Sequence, residues 1–190
     1  MKRLVTILVA IGAALLLVGG TIALLNNARP MPSPTPMTEA VVVRVNGEAI
    51  TAGQWLDAYA VDRLMSAVTR QPAPTPDETL ERLINDALLL QRYPQPVPDD
   101  EAVAKRLADI EASTGVTRAL LSGQLTAMGV PGEALTATMR HLLRVQAADA
   151  ALQAEGKEPA SWLTQARQEA IIEIDTKAKR DILARLFGMP

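Results

Sequence analysis

Residues 41–51 read VVVRVNGEAIT, and they limit the fold more than any other stretch of the chain. Val41, Val43 and Val45 alternate as strand residues do, Asn46-Gly47 comes next, and Ile50 lies on the far side. Asn-Gly suits a two-residue type I′ turn, because both central residues of that turn need positive φ. The stretch predicts a strand, a tight turn and a short return strand over 48–50, with Thr51 opening a helix. Most of the chain beyond Thr51 has helical spacing instead. The expected fold is therefore mainly α, with a small β-hairpin or sheet attached.

The helices announce their own starts. Thr51 and Gln54 fit a capping box, and Trp55, Tyr59, Leu64, Met65 and Val68 then give one apolar face to about Thr69. Prolines at 72 and 74 break that helix. Thr75-Pro76-Asp77-Glu78 offers the next start, with Thr as N-cap, Pro at the first helical position and Glu three after the cap. Leu80, Leu83, Ile84, Ala87, Leu88 and Leu90 make this second helix apolar over more than half its circumference, as suits a central position or a bound partner. Residues 93–98 end it. Asp99, Asp100 and Glu101 suit the positive end of a third helix carrying Val103, Leu107 and Ile110. Gly115 stops that helix, and Thr117 caps a short fourth one carrying Leu121, Leu125 and Met128. After a turn at 129–131, a long fifth helix runs to about Ala154, with Leu135, Met139, Leu142, Gln146 and Ala150 expected on one face.

A polar connection at 155–159 leads to a helix that Ser161 can cap and that carries Trp162, Leu163, Ala166 and Ala170. Ile171-Ile172-Glu173-Ile174 then turns β-branched, as a strand. Beyond it, Lys177, Lys179, Arg180 and Arg185 oppose Ile182, Leu183 and Leu186 in a basic amphipathic tail over 176–190. Packing of its apolar edge on the domain is expected ahead of a lipid contact. Loss of this tail is expected to be mild for the fold, and loss of the strand severe.

At the other end, Met1-Lys2-Arg3 precedes residues 4–25, which carry no charge. As a helix this run spans about 33 Å, against a hydrocarbon core of about 30 Å. It is longer than the apolar region of a cleaved signal, and residues 26–30 make a poor cleavage site. An uncleaved signal anchor over 1–28 is expected, with a cytoplasmic N-terminus and an extracytoplasmic domain at the cell membrane. Secretion after signal cleavage is the alternative. Proline at alternate positions from Pro30 to Pro36 makes 29–38 a polyproline-type spacer.

Formal charge is −2, so no nucleic-acid partner is expected. The chain has no cysteine, which excludes disulfides, thiol catalysis and lipoprotein acylation. His141 is the only histidine and is expected to be a satisfied or exposed helix residue rather than a ligand or base. The acids at 99–101 are explained by a helix start without a cation. Ser113, Ser122 and Ser161 lack spaced base and acid partners, and no phosphate-binding glycine loop is present. No catalytic residue, metal or cofactor is expected.

Taken in order, these segments resemble the N-terminal module of SurA-type chaperones and parvulin-family foldases. Val45, Asn46, Gly47, Ile50 and Thr51 match that family's V-N-G-x-x-I-T opening, and Leu88-Leu89-Leu90-Gln91 its Leu-Leu-x-Gln helix end. The helical run over 99–146 and the closing segment over 162–174 are similar as well. The family usually inserts a parvulin isomerase domain before the closing segment, and here only 155–160 stands in that place. The resemblance implies a SurA N-terminal-like domain over 39–175, whose late strand pairs with the opening hairpin. It implies a holdase that binds unfolded or nascent exported polypeptides and is not an enzyme. A scaffold for one envelope partner, or an isomerase relative with a degenerate site, are the alternatives. An apolar peptide-binding surface is expected at Trp55, Tyr59, Leu64, Met65, Leu125 and Met128. Oligomeric state is left open.

Overall fold

The computed structural model describes residues 37–187. The expected membrane span at 1–28 and most of the spacer at 29–38 lie outside the described residues. No helix among the described residues is long and apolar enough to cross a membrane.

A short 3-10 turn (Met37–Glu39) leads into β1 (Val41–Val45) and β2 (Glu48–Thr51). The turn between the strands has Asn46 at φ 51° and Gly47 at φ 87°, the two positive values that the Asn-Gly pair predicts. A two-stranded hairpin alone is marginal in water. Here a third strand, β3 (Ile172–Ile174), joins β1 from the far end of the chain, giving an antiparallel sheet of order β2-β1-β3. Val43 faces Ile174 and Val45 faces Ile172. Hydrogen bonds flank the pairing: the Asn46 amide donates to Ile171 O at 2.8 Å, and the Asp175 amide to Val42 O at 2.9 Å. A register irregularity between Val41 and Val43 lets Val42 and Val43 both be fully buried, which strict alternation would forbid.

Seven helices complete the described residues: α1 (Ala52–Thr69), α2 (Pro76–Arg92), α3 (Asp100–Thr114), α4 (Arg118–Ala127), α5 (Glu133–Ala154), α6 (Pro159–Glu169) and α7 (Thr176–Phe187). Both expected capping boxes form, Thr51 with Gln54 and Thr75 with Glu78. Asp99 and Thr117 cap α3 and α4 through their side chains. The start of α6 differs from expectation. Glu158 is its N-cap, accepting from the amides of Ala160 and Ser161, with Pro159 at the first helical position. Proline belongs there because it has no amide hydrogen to leave unpaired. Those amides hold the exposed Glu158 carboxyl below its ordinary titration range.

Three cores sit along the body. The first joins the sheet to α1, α2 and α7 through Val43, Val45, Trp55, Ile84 and Ile182. The second gathers the later half of α1 with α3, α4 and α5. In the third, Leu89 of α2 and Tyr93 at its C-cap meet Ala148 and Leu152 of α5, with Trp162 of α6 packed alongside. Helix α2 touches α1, α5, α6 and β1, which accounts for its wide apolar circumference.

One expectation is corrected by this packing. Gln146 and Ala150 of α5 are exposed, whereas Ala148 and Leu152 are fully buried. The stripe shifts because the first half of α5 packs on α1, α3 and α4, and its second half on α2 and α6. The tail helix α7 packs its apolar edge on the domain, as expected. Ile182 is 2% exposed within the first core and α7 packs on β1, so loss of the tail is expected to cost more than its sequence suggests.

Candidate functional site

Met65 from α1 and Met139 from α5 are brought to one cavity of about 540 Å³, closed on its third side by α3. Each methionine follows the apolar spacing of its own helix, so ordinary amphipathicity delivers both. Val61, Ile110 and Leu142 complete an aliphatic floor. In it Val61, Met139 and Ile110 are buried, whereas Met65 and Leu142 are half-buried and form its accessible part. The rim is charged, with Asp62 and Arg82 at one side and Arg106 and Asp109 at the other. Arg106 Nε is buried without an acceptor among the described residues. Chemically this is an apolar cleft with a mixed polar margin, and methionine thioethers adapt to side chains of varied shape.

Behind that rim lies a charge network that sequence reasoning missed. Asp86 is 7% exposed, and its Oδ2 accepts from Arg82 Nη1 at 3.1 Å and lies 2.9 Å from His141 Nε2. Arg82 Nη2 also donates to Asp62 at 2.8 Å, and the Thr79 hydroxyl donates to the same Asp62 oxygen at 2.9 Å. This network ties α1, α2 and α5 together. Its only sequence signal is the i, i+4 spacing of Arg82 and Asp86. His141 is thus a satisfied helix histidine, as expected, but its partner is a carboxylate distant in sequence.

The expected surface residues divide. Met65 lines the cavity. Leu64 packs against the second core from its edge. Tyr59 is half-buried, with the Arg63 guanidinium 5.8 Å from its ring centre. Met128 stands 47% exposed at the end of α4, away from the cavity lining. Trp55 and Leu125 are fully buried, so the expectation of these two as accessible peptide contacts is corrected. The Trp55 indole donates to Pro76 O at 2.8 Å, which makes it a core anchor between α1 and the start of α2. Leu125 fills the second core because α4 turns that edge toward α1 and α5.

The motif residues Asn46 and Gln91 bind one another. Asn46 Nδ2 donates to Gln91 Oε1 at 2.9 Å, Gln91 Nε2 donates to Val45 O at 2.9 Å, and the Ile171 amide donates to Asn46 Oδ1 at 2.9 Å. The hairpin tip, the end of α2 and the start of β3 are locked by these bonds. A wider cleft of about 830 Å³ opens beside them between α2 and α6, with Arg92, Lys157, Glu158 and Glu169 giving it a polar, doubly charged lining.

Two of the acids at 99–101 have partners in the fold. Asp99 caps α3, and Asp100 pairs with Arg140. Among the described residues no cluster of His, Asp or Glu is spaced to hold a metal ion. Comparison with protein-family models and with curated proteins finds no match for this chain.

Proposed function

We propose that this chain is a membrane-anchored, extracytoplasmic holdase of the SurA N-terminal type. It binds unfolded or nascent exported polypeptides and lacks prolyl isomerase activity. The observation that carries this reading is the cavity whose floor holds Met65 and Met139 beside Val61, Ile110 and Leu142. An aliphatic, thioether-rich cleft gives contact area without fixed polar readout, which suits many clients held weakly.

The order of the segments supports the same reading, with an opening hairpin, a leucine-rich helix ending in Gln91, and a closing strand on β1. So does the connection before α6. The Tyr93 hydroxyl donates to Glu155 at 2.8 Å, and Lys157 Nζ donates to both Glu155, at 2.7 Å, and the Tyr93 hydroxyl, at 3.1 Å. Tyr93 also packs edge-on against Trp162, with ring centres 5.8 Å apart. The place where the resembled family carries its isomerase domain is here a short stapled bend.

The test is aggregation of a denatured client with the purified full chain in several-fold molar excess. Suppressed aggregation is expected, with no acceleration of prolyl isomerisation in a peptide assay. Met65→Glu, checked for retained helicity, is expected to weaken the protection by charging the cleft. Absence of protection by the parent protein rejects the holdase and favours a scaffold for one envelope partner.

A further inference from the structure

A third cavity, of about 430 Å³, lies between β2, α1, α2 and α5. Its apolar wall includes Ile50, Ala58, Leu83, Ala87 and Leu90. Five charged or titratable side chains also line it, and three of them are already answered. Glu48 accepts from Gln91 at 3.0 Å, Arg82 is held by Asp62 and Asp86, and His141 is held by Asp86. Asp57 from α1 and Arg144 from α5 are left over. Neither makes a hydrogen bond or ion pair with any described residue, and Arg144 Nε is buried without an acceptor. They line one cavity from different helices without forming a pair within 4.0 Å. Burial pushes the Asp57 carboxyl above its ordinary range, and no hydrogen bond or ion pair among the described residues offsets that cost.

An unpaired acid and an unpaired base facing the same apolar-walled space are complementary to a ligand bearing both charges around an apolar body. We infer that this cavity binds short apolar peptides with free ends, the ammonium on Asp57 and the carboxylate on Arg144. A dipeptide carries its ammonium and its carboxylate on Cα atoms about 3.8 Å apart, so one short apolar body presents both charges at once. The volume is within the usual range of about 300–1,000 Å³ for small-ligand sites. A single-charge ligand would leave one of the two residues unanswered. This inference does not rest on the holdase proposal, which concerns the methionine-floored cavity.

The experiment is calorimetric titration of the full chain with Leu-Leu, N-acetyl-Leu-Leu and Leu-Leu amide. Saturable binding of Leu-Leu is expected, weakened at least about tenfold by blocking either end, as befits loss of a charge-assisted pair. Arg144→Gln is expected to erase the preference for the free carboxylate over the amide while retaining that for the free ammonium. Asp57→Asn is expected to do the reverse. No saturable binding of Leu-Leu, or equal affinity for the blocked peptides, overturns the inference on the parent protein without any variant.

Discussion

Asp86 carries more of the packing between α2 and α5 than its polarity suggests. Its carboxylate answers Arg82 on its own helix and His141 on α5, and those side chains keep 34% and 31% of their exposure. Removing one partner of a buried charge set costs about 3–5 kcal/mol, less where the remaining charges reach solvent. Asp86→Ala is therefore expected to destabilise by about 2–3 kcal/mol in urea unfolding, and Asp86→Asn by less, since an acceptor remains. Asp57 has the opposite sign. Its folded titration range is raised by burial, so the folded chain keeps a proton that the unfolded chain has already lost. Stability from this residue falls as pH rises through that window and stays lower at neutral pH. Asp57→Asn is expected to raise the melting temperature at pH 7 and to give no gain at pH 3. At the turn, a β-branched residue resists the φ of 87° at Gly47, although a Cβ there would meet nothing within 4 Å. Gly47→Val is expected to lower the melting temperature through backbone strain alone.

Elements whose ends carry local chemistry were legible. Thr51, Thr75, Asp99 and Thr117 each cap the helix that the sequence places after them, and Asn46-Gly47 makes its turn. What local pattern could not supply was anything settled by a distant partner. Ser161 is the one local miss, since Glu158 reaches two amides and Pro159 follows it within the same stretch. The stripe on α5 changes course because its two halves meet different helices. Asp86 and His141 lie 55 residues apart, so no window of sequence joins them. The tail shows the same effect, since its apolar edge is readable in sequence but its seat on β1 is not. Ile182→Ala is expected to cost about 2–4 kcal/mol, within the range for truncating a buried aliphatic. Ending the chain after Asp175 is expected to lower the melting temperature clearly, and ending it after Ala160, which also removes β3, to lower it further.

Across the described residues, α2 links the first and third cores to the sheet, and the methionine-floored cavity is lined by helix residues and by none from the strands. The candidate site was half legible. Met65 was readable from helical spacing, whereas Trp55 and Leu125 were drawn into cores by partners that spacing does not reveal. The most direct measurement follows the methionine methyl groups of the full chain by NMR as a denatured client is added. Occupation of the cavity is expected to shift Met65 and Met139, while Met128, outside the cavity lining, serves as the reference within the chain. Shifts confined to Met128, or no shift at client concentrations where aggregation is suppressed, would contradict polypeptide binding at this site.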